Sequence, residues 1–139
     1  MRLRAYLRLL LEWNSRINLV AAAPEDVLWQ RHILDGWQLL PLLPDGPLAD
    51  LGSGGGLPGL VIAIGRAQET HLVESDRRKS AFLIEAARQL GLPHVRVHPR
   101  RIEAVQLPPL AAITARALAP LTDLLPHAAR LLAPGGVAV

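Results

Sequence analysis

The sequence contains no cysteine, and lysine, tyrosine, phenylalanine and methionine occur once each among its 139 residues. Without cysteine, disulfide bonds, thiolate metal ligands and cysteine nucleophiles are excluded, and we expect no metal site. No apolar run approaches the roughly 18 residues that a transmembrane helix needs. We therefore expect a cytoplasmic protein that does not associate with membranes.

The residues that are present are hydrophobic and basic. Half of them are hydrophobic and 19% are charged, which is typical of a folded domain with a real core and disfavours a disordered chain. The net charge of +3 and the isoelectric point near 10.5 favour a polyanionic partner. The length predicts a single domain over residues 1–139, with a helical part at 1–46 and an α/β core at 47–139.

The first residues resemble a signal peptide only superficially, because Arg8, Glu12 and Arg16 interrupt the apolar segment. Apolar residues recur instead at helical spacing and predict an amphipathic helix: Leu3, Tyr6, Leu7, Leu10 and Trp13. A second helix is predicted from Pro24 to about Leu40, with acidic residues at the positive end of its dipole.

Strands and helices alternate in the rest of the chain. Strands are predicted at 48–51, 70–74, 94–98 and 110–115, and helices at 58–66, 77–90 and 121–132, before a turn at 134–136. This alternation predicts a doubly wound, mostly parallel sheet. Because the sequence stops at 137–139, at the start of a further strand, we expect the far side of the sheet to be missing. The 110–115 strand would then lie near an exposed edge that promotes association.

A glycine-rich turn runs from Asp50 to Gly59 between the first strand of the core and its helix. Ligands of open α/β sheets bind at the carboxyl ends of the strands. Gly52, Gly54 and Gly56 permit backbone conformations that other residues avoid and let a ligand approach the main chain. The turn therefore predicts a nucleotide-like cofactor.

The identity of that cofactor is ambiguous from the turn alone, because Gly54 to Gly59 also has the G-x-G-x-x-G spacing of dinucleotide sites. A pyrophosphate at the helix N-terminus would be repelled by Asp50, whereas S-adenosylmethionine carries a sulfonium and an ammonium. Glu74 can accept hydrogen bonds from the ribose of either cofactor. These charges favour S-adenosylmethionine. A nicotinamide-dependent oxidoreductase and a non-catalytic RNA-binding or cofactor-binding module remain alternatives.

Several further blocks occur in a fixed order along nearly the whole chain. They are Glu12-Trp13-Asn14, Ile17-Asn18-Leu19, Arg31-His32-Ile33-Leu34-Asp35, the glycine turn, Val73-Glu74-Ser75, Lys79-Ser80-Ala81-Phe82-Leu83, Arg101-Ile102-Glu103 and Ala115-Arg116-Ala117-Leu118-Ala119. With these blocks the sequence resembles the small-subunit ribosomal RNA methyltransferase G family, also called glucose-inhibited division protein B. Gly36 stands where relatives usually have serine, and the chain begins late and stops early relative to them.

The resemblance implies a Rossmann-like class I methyltransferase that uses S-adenosylmethionine to methylate guanine N7 in the 530 loop of 16S rRNA. Its partner would be 16S rRNA or the small ribosomal subunit. Beside the acidic Asp50 and the glycines of the turn, it implies these cofactor contacts: Gly52, Leu57, Glu74, Ile102, Glu103 and Arg116.

The implied reaction requires no general base, because N7 of guanine already carries a lone pair. We therefore assign no catalytic residue and interpret His32 and Asp35 as a packing and hydrogen-bonding pair on one helix face. Candidate contacts to RNA phosphates are Arg2, Arg4, Arg8, Arg77, Arg78, Lys79, Arg100 and Arg101.

Overall fold

The computed structural model describes residues 2–115, 126–127 and 129–138. Its helices are α1 (Arg2–Asn14), α2 (Glu25–Leu28), α3 (Leu34–Trp37), α4 (Gly59–Gly65) and α5 (Arg77–Leu90). Its strands are β1 (Leu48–Leu51), β2 (Thr70–Val73), β3 (Val95–His98), β4 (Leu110–Ala115) and β5 (Leu132–Ala138). Short 3-10 helices lie at Leu40–Leu42 and Ile102–Ala104.

The amphipathic helix predicted at the start of the chain is confirmed as α1. Its apolar stripe packs against α4 and α5. After the helix, the side-chain oxygen of Asn14 accepts hydrogen bonds from the backbone N–H groups of Leu19 and Val20, at 2.7 and 3.1 Å. These bonds fold the following loop back against the helix end.

The second predicted helix has nearly the expected extent but is not continuous. A π-helical turn at Trp29–Ile33 separates α2 from α3. Leu28 and Ile33 are both buried although they are five positions apart, which is the spacing that a π turn, with its i to i+5 hydrogen bonds, brings onto one face. The prediction of a regular helix was wrong at this point because the buried pattern changes its period.

All strand pairs of the sheet are parallel, and the strand order is β3-β2-β1-β4-β5. The doubly wound fold expected from the alternation of elements is therefore confirmed. The order reverses at β1, since the chain runs outward on one side through β2 and β3 and on the other through β4 and β5. Ligand crevices of such sheets lie at this reversal, which is where the glycine turn begins.

The end of the described chain differs from expectation. Residues 126, 127 and 129–131 are helical, and the rest of the predicted 121–132 helix lies outside the described residues. The predicted turn at 134–136 lies within β5, where a bulge separates the pairs Leu110–Leu132 and Ala112–Val137. Because β5 pairs with β4 from residue 132 onward, β4 is flanked on both sides in the described sheet.

Apolar side chains cover both faces of the sheet. On one face, α1, α4 and α5 pack on residues such as Leu72. On the other face, Val73 and Ile113 pack with Val105 and Leu131. Neighbouring residues of a strand point to opposite faces, so both faces of these strands are apolar, as is typical of a parallel sheet.

Candidate functional site

The glycine turn lies across the carboxyl ends of β1 and β2. The backbone N–H groups of Gly52 and Ser53 both donate to the carbonyl oxygen of Val73, the last residue of β2, at 2.7 and 3.0 Å. The Ser53 hydroxyl donates to the Asp50 carbonyl at 3.0 Å. These bonds fix the start of the turn at the reversal of strand order, as the sequence predicts.

The three predicted cofactor-binding glycines all have positive φ angles, namely +71° at Gly52, +53° at Gly54 and +86° at Gly56. A Cβ at Gly54 would meet only the Gly52 carbonyl oxygen, at 4.0 Å, whereas a Cβ at Gly56 would lie 2.6 Å from Leu60 Cδ1. Gly54 therefore borders open space, and Gly56 permits the close packing of α4. Of Gly54 and Gly56, Gly54 is the one that has room for a ligand beside its backbone.

The N-terminal helix supports this turn from below. Tyr6 is fully buried, and its hydroxyl donates to the Gly55 carbonyl at 2.5 Å. A Cβ at Gly55 would lie 3.1 Å from Leu10 Cδ1, so the turn also packs closely on α1. Sequence reasoning placed Tyr6 only in the apolar stripe. The signal that could have identified its role is that a buried tyrosine hydroxyl needs a hydrogen-bond partner.

Asp50 lies beneath the turn and is 1% exposed. Its Oδ2 atom accepts from the Gly59 N–H at 3.2 Å, and its Oδ1 atom accepts from the Thr114 hydroxyl at 2.9 Å. The carboxylate thus ties β1 to the first residue of α4 and to β4. A Cβ at Gly59 would lie 2.5 Å from Asp50 Oδ2, so glycine is needed for this approach. The role of Asp50 in cofactor binding remains a prediction.

Glu74 follows β2 directly and holds the outer part of the turn. Its Oε1 atom accepts from the Gly54 N–H at 2.7 Å, and its Oε2 atom accepts from the Asp76 N–H at 2.9 Å. The Ser80 hydroxyl donates to the Glu74 carbonyl at 2.9 Å. The side chain is 8% exposed and borders the open space beside Gly54, where the sequence places a ribose-binding carboxylate.

The turn is electrostatically unsuited to a pyrophosphate. In dinucleotide sites, free N–H groups at the helix N-terminus face the phosphates. Here carboxylate oxygens of Glu74 and Asp50 accept from the N–H groups of Gly54 and Gly59. A cationic ligand fits these two buried carboxylates, and an anionic one would be repelled.

The other predicted contacts lie in three different environments. Leu57 is buried in the core, so only its backbone can face a ligand. Ile102 and Glu103 lie in the 3-10 helix after β3, half-buried and exposed respectively. This segment is held by Arg130, which donates to the carbonyl oxygen of Ile102 at 2.9 Å, a contact that sequence reasoning missed. Arg116 lies outside the described residues.

The candidate phosphate contacts divide into two groups. Arg77, Arg78 and Lys79 follow β2, and Arg100 and Arg101 follow β3. Val73 pairs with His98, so the two strands end side by side. Both basic segments therefore lie at the carboxyl ends of the strands, as the glycine turn does.

The basic residues of α1 do not join that edge as a group. Arg2 approaches Gly91, at the opposite end of α5 from Arg77, with 4.0 Å between its Nη2 atom and a Cβ built on the glycine. The Arg4 guanidinium lies 4.1 Å from the centroid of the Trp29 ring, which gives it a structural contact within the helical part. Arg8 is exposed on the same helix.

Within the described part of the chain, no helix is long and apolar enough to cross a membrane. The same residues contain no cluster of three or more histidine, aspartate or glutamate side chains that could hold a metal ion.

Solved structures share this fold at low sequence identity. Geranyl diphosphate methyltransferase, in complex with geranyl diphosphate and sinefungin, matches with a TM-score of 0.72 and 19% identity, covering 97% of this chain and 63% of that one. Trm5b from Pyrococcus abyssi matches with a TM-score of 0.69 and 16% identity, covering 86% of this chain and 34% of that one. The fold is therefore that of the Rossmann-like class I methyltransferases.

Sequence comparison is more specific. Ribosomal RNA small subunit methyltransferase G of Rhodospirillum centenum is 55% identical over 138 residues, which are 98% of this chain and 63% of the relative. The Granulibacter bethesdensis protein of the same name is 54% identical, with 99% and 65% covered. The chain thus spans less than two thirds of the length of these relatives. The family model described as rRNA small subunit methyltransferase G matches residues 1–139, and the chain belongs to this family.

Proposed function

We propose that the protein transfers a methyl group from S-adenosylmethionine to N7 of a guanine in the 530 loop of 16S rRNA. The observation that carries the proposal is the hydrogen bond from Gly54 to the Glu74 carboxylate, at the point where the fold collects ligands. This hydrogen bond holds an acidic acceptor beside the open space at Gly54 in the glycine turn. Family membership supports the same reaction class.

The proposed step is a direct displacement. The N7 lone pair of guanine forms the new N–CH₃ bond, while the S–CH₃ bond breaks and its electron pair stays on sulfur. The positive charge passes from the sulfonium to the purine ring, and no proton is removed, so no general base is needed. The protein contributes mainly by holding nucleophile, methyl group and sulfur in line.

The residues available to hold S-adenosylmethionine surround the turn. The backbone around Gly52 and Gly54 would contact the amino acid part, and the Glu74 carboxylate would accept hydrogen bonds from the ribose hydroxyls. Ile102 and Glu103 would border the adenine. Bound there, the cofactor supplies an activated methyl group on a cationic sulfur, a charge that the buried carboxylates of Asp50 and Glu74 favour.

The RNA would approach over the basic edge formed by Arg77, Arg78, Lys79, Arg100 and Arg101. Such residues neutralise phosphates without reading sequence. N7 lies in the major groove, which is deep and narrow in A-form RNA. The target must therefore be an unpaired or flipped guanine.

The competing enzyme class is a nicotinamide-dependent oxidoreductase. The carboxylates bound to Gly54 and Gly59 disfavour its pyrophosphate. Tyr6, the single tyrosine of the chain, is buried and donates to a backbone carbonyl, which disfavours it as a proton donor. A measurable affinity for a nicotinamide nucleotide, with none for S-adenosylmethionine, would favour the oxidoreductase.

The decisive experiment is methyl transfer by the whole protein from labelled S-adenosylmethionine. Unmodified 16S rRNA and unmodified small ribosomal subunits serve as substrates, and RNA that already carries the modification serves as the control. We expect label only in unmodified RNA, recovered after digestion as 7-methylguanosine. If the protein bound cofactor and RNA but transferred no label, the non-catalytic module would replace the enzyme.

A further inference from the structure

A second cleft lies beside the glycine turn, with a volume of about 230 Å³. One wall comes from the π turn and α3, and the other from the end of β4. Pro58, which directly follows the predicted cofactor contact Leu57, joins the cleft to the turn. The lining residues are His32, Asp35, Gly36, Leu39, Pro58, Thr114 and Ala115.

The size of the cleft is that of one flat ring system. Pockets for drug-sized ligands range over roughly 300–1,000 Å³, and this cleft lies below that range. Leu39 and Pro58 contribute apolar surface against which a planar base can stack. The cleft adjoins the turn proposed to hold the methyl donor, and it is thus placed to receive the base that is methylated.

Asp35 is the carboxylate that lines this cleft. No described residue donates a hydrogen bond to its exposed carboxylate or forms an ion pair with it. Thr114, by contrast, already donates its hydroxyl to Asp50. The neighbouring Gly36 packs so closely that a Cβ would lie 3.2 Å from both Pro58 Cβ and Val61 Cγ1. This contact fixes α3, and with it Asp35, against the start of α4.

A carboxylate accepts hydrogen bonds and donates none. Guanine presents two adjacent donors on its Watson–Crick edge, the N1–H and the N2 amino group. Adenine instead presents the N1 lone pair there, which a carboxylate repels. N7 and O6 of guanine lie on the opposite edge of the purine, so a carboxylate at the Watson–Crick edge leaves N7 free to attack a methyl group.

We propose that the cleft between α3 and the end of β4 is the base pocket for the target guanine, and that Asp35 selects it by accepting from N1–H and the N2 amino group. The proposal rests on the proposed methyl transfer to guanine N7. Asp35 is then a specificity-determining residue.

The test measures methyl transfer by the whole protein to RNA carrying guanosine or inosine at the target position. Inosine keeps N1–H and N7 but lacks the N2 amino group. We expect wild-type kcat/KM to fall at least roughly tenfold with inosine, because a site built to bind a donor rejects the analogue that lacks it. In Asp35→Asn, transfer to guanosine should fall by a similar factor, and the preference over inosine should disappear.

Two variants control for indirect effects. Asp35→Glu retains the carboxylate and should retain the preference for guanosine. Asp26→Asn makes the same chemical change on the exposed surface of α2, outside the cleft, and should behave as wild type. Affinity for S-adenosylmethionine should be unchanged in all three variants.

The outcomes separate the two proposals. If the wild-type protein methylates guanosine and Asp35→Asn keeps the full preference over inosine, the base pocket is wrong and the proposed function stands. If the wild-type protein transfers no methyl group to guanosine at all, the proposed function fails and the pocket assignment falls with it.

Discussion

Glu74 is the residue on which the candidate site depends most. Its two carboxylate oxygens accept from the N–H groups of Gly54 and Asp76, which uses only part of their capacity, since a carboxylate offers about four lone-pair positions. The remaining positions are available to the two ribose hydroxyls. One side chain can therefore shape the turn and bind the cofactor at the same time.

Replacing Glu74 by alanine should weaken the binding of S-adenosylmethionine by about 1.5 to 3 kcal/mol, the scale of a hydrogen bond to a charged group. This corresponds to a rise in Kd of roughly 10- to 150-fold. Isothermal titration calorimetry measures the change directly. An unchanged affinity would remove Glu74 from the site.

Asp76 provides the matched control, because its carboxylate also accepts a backbone hydrogen bond, from the Lys79 N–H at 3.0 Å. That bond, which caps α5, lowers the pKa of Asp76. Asp76→Ala should loosen the first turn of α5 but leave cofactor affinity intact. If both variants lost cofactor affinity equally, the loss in Glu74→Ala would be caused by a disturbed start of α5 and not by a missing contact with the cofactor.

For single residues, the sequence predicts the position in the site when the contacting partners are near in the chain or when the fold class fixes where they lie. The positions of the glycines and of Glu74 follow from the strand ends. Tyr6 and Asp50 do not follow in the same way, because their partners Gly55 and Thr114 are 49 and 64 residues away. Such pairs depend on how α1 and β4 pack against the turn, and local spacing carries no information about that packing.

Among the elements, the glycine turn contains two glycines with different roles, Gly54 and Gly56. Both have positive φ angles, which cost a residue with a Cβ roughly 1–2 kcal/mol. Only at Gly56 would the added Cβ collide with a neighbour, at 2.6 Å from Leu60 Cδ1. Overpacking of this kind typically costs a further 1–3 kcal/mol.

We therefore expect Gly56→Ala to lower the free energy of unfolding by about 2–5 kcal/mol and Gly54→Ala by only about 1–2 kcal/mol. Urea denaturation measures both losses. Gly54→Ala should nevertheless weaken cofactor binding, because its methyl group would project into the open side of the turn. Equal destabilisation by the two substitutions would contradict this division.

Element positions were predictable where one period holds throughout, as in α1 and α5. The prediction was less accurate where the period changes. The π turn at Trp29–Ile33 adds a residue between the buried Leu28 and Ile33, and the bulge in β5 places five chain steps opposite two in β4. Pro134 and the glycines after it indicate a turn by composition, yet the flanking residues pair with β4. Only the sheet register reveals the strand.

At the scale of the whole molecule, a pair of histidines links two neighbouring strands of the apolar sheet. His71 of β2 is 4% exposed, and its Nδ1 atom lies 2.8 Å from Nε2 of His98 on β3. Its Nε2 atom lies 3.2 Å from Glu69 Oε1 without good hydrogen-bond geometry. Burial lowers the pKa of His71, although Glu69 opposes the shift. Burial, and then the charges of His71 and Arg100, lower the pKa of His98.

These shifts set the pH dependence of folding. Because both pKa values lie below the ordinary value of about 6.5, the unfolded chain takes up protons before the folded one as the pH falls. The pair's contribution to stability is thus complete above about pH 6.5 and is lost at lower pH, through the folded pKa values. A hydrogen bond between two imidazoles needs one unprotonated nitrogen as acceptor. When both His71 and His98 are in the doubly protonated, cationic form, no acceptor remains and the contact between β2 and β3 is broken.

We expect the urea midpoint to decrease from pH 7.5 to pH 5 and His98→Ala to flatten this dependence. At pH 7.5 the same substitution should cost about 1–3 kcal/mol, because it leaves the buried Nδ1 of His71 without its partner. Other ionisable groups add their own pH dependence to both proteins, so the difference between the two curves isolates the pair. If the curves ran parallel from pH 7.5 to 5, the histidines would not titrate in that range.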